Sequence, residues 1–128
     1  MGLEALKVGP VIPVSDLGAA RAFYEDTLGL EGEPAPGGRV LRAGGDTRLF
    51  LLEGTDYAGQ AAWPLASFQS DDLAATVDDL RARGVALEIM GAGDPFETDE
   101  RGIADLGEIL IAWFRDPDDQ VIAVFQPA

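Results

Sequence analysis

The chain has 128 residues, which is the size of a single domain, and its 47% apolar content is enough for a buried core. Its net charge of −14 argues against nucleic acid as a partner, because phosphate binding needs clustered basic residues. It contains no histidine and no cysteine, which excludes nucleophilic Cys/His and Ser/His/Asp arrangements and removes the preferred ligands of zinc and the transition metals.

The hydropathy pattern argues against a membrane location. No apolar run reaches the length of about 18 residues that a membrane-spanning helix needs. The first ten residues, MGLEALKVGP, lack the basic region and the long apolar stretch of a secretory signal. We therefore expect a cytoplasmic protein without a membrane partner.

The first half of the chain predicts a strand, a helix and further strands. The short β-branched segment VGPVIPV is typical of a strand, and Ser15 or Asp16 follows it as a helix cap. The helix that we predict next ends at Gly29. Its apolar face consists of Leu17, Ala20, Tyr24 and Leu28. Residues 30–38 are expected to form a loop, and the strands RVLRAG and RLFLLEG follow, joined by the turn GGDT.

The second half repeats this pattern. The segment PLASFQS predicts a strand, and Asp71 or Asp72 then caps a helix that ends at Gly84. The apolar face of this helix consists of Leu73, Val77 and Leu80. Three strands are predicted after it, VALEIM, EILIAWF and VIAVFQ, with a long acidic loop from residue 91 to about 106 and the turn DPDDQ between them. The chain is therefore interpreted as a duplicated unit of a strand, a helix and three strands.

Three segments, VIPVSDLGAARAFYEDTLGLEGE, DDLAATVDDLRARGV and WFRDPDDQVIAVFQ, resemble the vicinal oxygen chelate superfamily. That family includes glyoxalase I, extradiol dioxygenases, fosfomycin resistance enzymes and bleomycin resistance proteins. The resemblance implies one α+β domain over residues 1–128, made of two βαβββ modules at about 5–56 and 62–127. It implies that their strands curl into a half-open mixed barrel around a central cavity, and that the chain forms a homodimer.

The enzymes of this family hold a divalent metal on the floor of the cavity. The resemblance places the four ligand positions at Gly9, Phe50, Leu65 and Ala123, and none of these residues has a ligating side chain. Their neighbours Val8, Pro10, Leu49, Leu51, Ala66, Ile122 and Val124 offer no ligands either. A dication needs charged or strongly dipolar donors to replace its hydration shell. We therefore expect no metal and no other cofactor, and the sequence assigns no catalytic residue.

Strand alternation identifies the side chains that would line the cavity. The predicted ligand-binding set is mostly apolar with a few polar groups, which is typical of a small-molecule pocket. It comprises Arg48, Phe50, Leu65, Ser67, Gln69, Trp113, Ala123 and Phe125. The alternative is that these side chains simply fill the barrel as core. Trp63, in the linker between the halves, is expected at the rim of the pocket or at an interface.

Three functions remain open at this point. The favoured one is a metal-free protein that sequesters a small organic molecule, with aromatic and cationic compounds as the candidates, as in drug resistance. The second is an enzyme of the same family, a lyase, isomerase or dioxygenase-like protein that works without the metal; the absence of Asp and Glu from the predicted lining weighs against it. The third is an accessory or regulatory dimeric domain, which an exposed apolar patch without a pocket would favour.

Overall fold

The computed structural model describes residues 2–127; the two terminal residues, at which the predicted domain begins and ends, lie outside them. The first module consists of β1 (Val11–Val14), α1 (Leu17–Arg21), β2 (Glu31–Ala35), β3 (Gly38–Arg42) and β4 (Arg48–Glu53). A π-helical turn, Ala22–Thr27, continues α1, and a 3-10 turn, Gly44–Asp46, joins β3 to β4. The second module consists of β5 (Ser67–Gln69), α2 (Leu73–Ala82), β6 (Ala104–Asp105), β7 (Ile109–Arg115) and β8 (Val121–Pro127).

Each module forms one four-stranded mixed sheet, with strand order β1-β4-β3-β2 in sheet A and β5-β8-β7-β6 in sheet B. In both sheets the first strand runs parallel to the last, and the remaining neighbours are antiparallel. The registers are equivalent, since Val11 pairs with Phe50 in sheet A and Ser67 pairs with Ala123 in sheet B. The predicted α+β class and the duplicated βαβββ unit are confirmed.

The two helices begin and end where the sequence predicts. The Asp16 side chain accepts a hydrogen bond from Ala19 N at 3.1 Å, and the Asp72 side chain accepts one from Ala75 N at 3.1 Å. Both are N-caps of the usual kind. Gly29 and Gly84 follow the helices with φ of 82° and 87°, a conformation that glycine adopts without strain.

Two predicted elements are wrong, and both concern the edge strand of a module. The expected loop at 30–38 contains β2, which tolerates Pro34 because it lies at the edge of sheet A. The expected strand at 85–90 is reduced to a single bridge between Leu87 and Phe114. Two segments pair with the same edge of β7: β6 pairs with its first half, and residues 87–88 bond to its second half.

One contiguous core joins the modules. It contains the inward side chains of both sheets and both helices, so each sheet has a back face that is buried in this core and a front face that points away from it. The core includes Ile12, Val14, Leu41, Leu49, Leu51, Leu73, Val77, Leu80, Ala112, Phe114, Ile122 and Val124.

Polar contacts at the β7–β8 turn hold the modules together. Tyr24 Oη donates a 2.7 Å hydrogen bond to Asp116 Oδ2, and both groups are buried. Burial raises the pKa of the Asp116 carboxyl and outweighs the hydrogen bonds that it accepts from Tyr24, Gln120 N and Asp118 N. Burial and the nearby carboxylate also raise the pKa of Tyr24. Ser15 N donates to Asp118 Oδ2 at 3.1 Å, which fixes the start of α1 against the same turn. Within residues 2–127, none of the helices is long and apolar enough to cross a membrane.

Candidate functional site

The front face of sheet B forms an aromatic groove with a volume of ≈ 440 Å³. Strands β7 and β8 form its floor. The linker between the modules, residues 54–66, and the loop after residue 88 form its sides. The groove is lined by Ala62, Trp63, Pro64, Glu88, Met90, Pro95, Phe96, Trp113, Arg115 and Val121. An apolar cleft with a few polar groups at its edge is the usual form of a small-molecule site.

Trp113 lies on the floor of this groove. It pairs with Ala123 across the β7–β8 ladder, and both side chains belong to a small apolar cluster with Ala104 that is separate from the main core. Trp113 is 8% exposed and Ala123 only 1% exposed. Phe96, from the long loop, stacks on Trp113 with ring centroids 5.5 Å apart and ring planes at 25°. The floor of the groove is therefore a flat aromatic surface that the chain covers with its own phenyl ring.

A charged pair borders the groove. Arg115 Nε donates a hydrogen bond to Glu88 Oε1, and Arg115 Nη1 donates to the backbone oxygen of Asp119 at 2.9 Å. Each formal charge is thus offset by its partner, and the pair offers a ligand polar atoms with little net charge.

Gln120 positions Trp63 at the opposite side of the groove. The Gln120 side chain is completely buried, and its Nε2 donates to the backbone oxygen of Trp63 at 3.0 Å. The same linker approaches the β7–β8 turn at Gly59, where a Cβ would come within 2.0 Å of Asp118 O. Trp63 itself is 64% exposed. The sequence predicted a structural turn at DPDDQ but did not indicate that Gln120 reaches the linker, because the contact spans distant parts of the chain.

The eight predicted ligand-binding residues do not line one cavity within the chain. Arg48, Leu65, Ser67, Gln69 and Phe125 meet in a groove of ≈ 660 Å³ at the junction of the two sheets. Phe50 shares with Arg48 a depression of ≈ 280 Å³ on the front face of sheet A. Trp113 and Ala123 belong to the front face of sheet B. The reason is that the back faces share one core, so the two front faces do not enclose a common space in one chain.

The four positions at which the fold places a metal do not fit one. Phe50, Leu65 and Ala123 have hydrocarbon side chains, and a Cβ at Gly9 would lie 2.4 Å from the carbonyl oxygen of Arg48, so no longer side chain has room there. Among residues 2–127, no three His, Cys, Asp or Glu side chains are grouped so that they could hold an ion. The donor set for a dication is missing at these four positions.

Comparison with known proteins agrees with this architecture. Residues 7–124 match the family model of the Glyoxalase/Bleomycin resistance protein/Dioxygenase superfamily. The chain is similar to the crystal structure of TnmS3, an antibiotic binding protein from Streptomyces sp. CB03234, with 28% identity and a TM-score of 0.64 over 97% of this chain and 98% of that one.

Two more distant structures share the fold. One is a glyoxalase/bleomycin resistance protein from Catenulispora acidiphila DSM 44928, with 23% identity and a TM-score of 0.65 over 96% of this chain and 99% of that one. The other is a fosfomycin resistance protein from Listeria monocytogenes, with 16% identity and a TM-score of 0.65 over 95% of this chain and 93% of that one. The family match covers nearly the whole chain, and we conclude that this protein belongs to the glyoxalase/bleomycin resistance protein/dioxygenase superfamily.

Proposed function

We propose that this chain is a metal-free binding protein that sequesters a small aromatic or cationic organic molecule. The observation that carries the proposal is the aromatic groove on sheet B, which combines Trp63 and Trp113 around a floor that lacks metal donors. Burying apolar ligand surface contributes about 25 cal/mol per Å² before ordering costs, so micromolar affinity is attainable without a metal.

The similarity to an antibiotic binding protein supports this class of ligand. The two chains align over almost their whole lengths with 28% identity. We take from it the ligand class, an antibiotic. The chemistry of the groove narrows this class to compounds that carry a flat aromatic portion.

Electrostatics favours a cationic ligand over an anionic one. The chain has a net charge of −14, and Glu88 and Arg115 offset one another at the groove. Asp94 and Glu97 lie close to Phe96 in the loop after residue 88, and both residues are exposed. Their field attracts a cation at low ionic strength and weakens as salt screens it.

A homodimer would complete the site. The front face of sheet A leaves Val11 49% exposed and Phe50 only half-buried, although a stable sheet usually covers such an apolar face. A second copy that places its sheet B groove against this face would bury both surfaces and close two equivalent cavities around a two-fold axis. Phe50 of one chain would then join Trp113 of the other, which a single chain does not allow.

The contacts of the carboxylates favour binding over metal-free catalysis. A catalytic base must have a carboxylate that is free to reach the ligand. The carboxylate that lines the groove belongs to Glu88, and its oxygen is already bonded to Arg115. Asp116, whose pKa is raised, is 4% exposed and bonded to Tyr24 on the core side of sheet B.

The test is calorimetric titration with three probes: proflavine, a planar cation; anthracene carboxylate, a planar anion; and amantadine, a cation without a flat ring. Protein treated with a chelator should bind proflavine with micromolar affinity, anthracene carboxylate more weakly and amantadine weakest. Trp113→Leu should weaken proflavine binding about tenfold, while Trp113→Phe retains most of it because an aromatic face remains. Tyr57→Leu removes an exposed aromatic ring outside the groove and is the matched control. Absence of binding by all three probes, or affinity that disappears with the chelator, would overturn the proposal.

A further inference from the structure

The loop that carries Phe96 is closed at its base and loosely held at its tip. Thr98 N donates to Met90 O at 2.9 Å, and Met90 N donates to Thr98 Oγ1 at 2.9 Å. Next to this clamp, Gly91 N donates to the Asp94 carboxylate at 2.8 Å. Residues 91–97 are all exposed. The base is therefore a fixed hinge point, and the tip has few contacts that would resist movement.

Phe96 is the contact between this tip and the aromatic floor. Its ring stacks on Trp113 while 45% of the residue stays exposed to water, and Trp113 itself is 8% exposed. Stacked aromatic rings prefer centroid distances of about 4.5–7 Å, and the observed 5.5 Å is within this range. No third ring fits between two rings at that separation.

We propose that Phe96 occupies, in the free protein, the position that a planar ring of the ligand takes on Trp113, and that binding displaces Phe96 from the groove. This inference rests on the proposed function, and it names the feature that the groove selects, a flat ring that replaces a phenyl ring. A ligand without such a ring cannot replace the stacking contact that is lost when Phe96 leaves. The loop therefore favours the binding of planar aromatic compounds over other ligands.

The displacement has a direct consequence for affinity. Every planar ligand must first break the Phe96–Trp113 contact, and removing this competitor makes the floor permanently available. The stacking free energy of an aromatic pair is large enough that removing Phe96 should lower the Kd of planar ligands about three- to tenfold. A compact aliphatic cation does not use the stacking surface, and its affinity should stay within about twofold of that of the wild type.

The experiment is calorimetric titration of Phe96→Ala and wild type with proflavine and with amantadine. Ile89→Ala is the matched control, since Ile89 is an exposed apolar residue just before the loop that does not line the groove. We expect proflavine to bind Phe96→Ala about three- to tenfold more tightly than it binds wild type or Ile89→Ala. Equal or weaker binding by Phe96→Ala would overturn the inference, because Phe96 would then be a bystander or a wall of the site.

A second measurement follows Phe96 in the wild-type chain. Fluorine NMR of protein that carries 4-fluorophenylalanine reports the surroundings of each of its six Phe rings, and the spectrum of Phe96→Ala identifies the Phe96 resonance. Proflavine should shift this resonance to the position of a water-exposed ring, and amantadine should not. A Phe96 resonance that stays unchanged when proflavine binds would refute the displacement. If proflavine binds wild type and Phe96→Ala equally, the proposed function stands and the displacement fails. If neither protein binds proflavine, amantadine or anthracene carboxylate, both proposals fail together.

Discussion

Ala123→Glu tests whether the groove floor is dry and apolar. Ala123 is 1% exposed and packs with Trp113 and Ala104 beneath the groove. A glutamate there introduces a carboxyl group into a space that holds a methyl group. The neutral variant Ala123→Gln has nearly the same size and is the matched control, so the difference between the two variants isolates the charge.

The size of the charge effect follows from the protonation equilibrium. A carboxyl buried among apolar side chains has its pKa raised, because burial disfavours the charged form. Protonating a glutamate with an ordinary pKa of about 4.3 at pH 7 costs about 3.7 kcal/mol, at about 1.36 kcal/mol per pH unit, which is the upper limit of the penalty. Overpacking costs both variants a further 1–3 kcal/mol or so. Because the folded-state pKa is raised above the unfolded value, the charge penalty is absent below about pH 4.3 and grows as the pH rises.

The assay is urea unfolding followed by circular dichroism at about pH 4.3 and about pH 7. We expect Ala123→Glu and Ala123→Gln to have similar free energies of unfolding at the lower pH. At the higher pH, Ala123→Glu should be less stable than Ala123→Gln by about 2–3.5 kcal/mol, just under the upper limit. If the two variants are equally stable at pH 7, the carboxyl reaches water, and both the burial of Ala123 and the apolar floor are refuted.

Three further predictions concern other parts of the molecule. Phe50→Glu should lower the free energy of unfolding of one chain by about 1–2 kcal/mol, because Phe50 is partly buried on an open face. The variant should stay folded and convert the proposed dimer to a 13.5 kDa monomer in light scattering, and a variant that remains dimeric would place the interface elsewhere. Asp116→Asn keeps the size of the side chain and removes a carboxyl whose pKa is raised above 3.8; its one amide oxygen replaces only one of the two carboxylate oxygens that accept from Tyr24 and from the turn. The stability of wild type relative to this variant should therefore fall as the pH rises above 3.8 toward the folded-state pKa, and a relative stability that rises would show that the hydrogen bonds dominate. Arg39→Ala leaves Glu25 without the two bonds of 2.7 and 2.9 Å that it accepts, and urea unfolding should show a loss of about 2–3 kcal/mol that the double change with Glu25→Gln partly restores. A loss below about 0.5 kcal/mol would show that water replaces the pair.

Local features of the sequence were enough to predict most elements. Short β-branched runs, Asp16 and Asp72 as caps, and glycines after the last helical turn each depend on a few neighbouring residues. The two edge strands were missed because β2 is rich in Pro, Gly and Glu and β6 has only two residues. Their pairing comes from the neighbouring strand, and local propensity does not encode it.

The sequence by itself determined the duplicated βαβββ unit, the absence of ligating side chains at the metal positions and the apolar character of both front faces. Only the tertiary structure decided which of these faces come together. Strand alternation predicts that Arg48 and Phe50 share a face of one strand and that Ala123 and Phe125 share a face of another, but it contains no information on whether the two sheets share their back or their front faces. The buried core between the helices decided this point and separated Phe50 from Trp113 within one chain. The stacking of Phe96 on Trp113 and the contact of Gln120 with the linker also depend on the fold, because each joins residues that are far apart in the sequence.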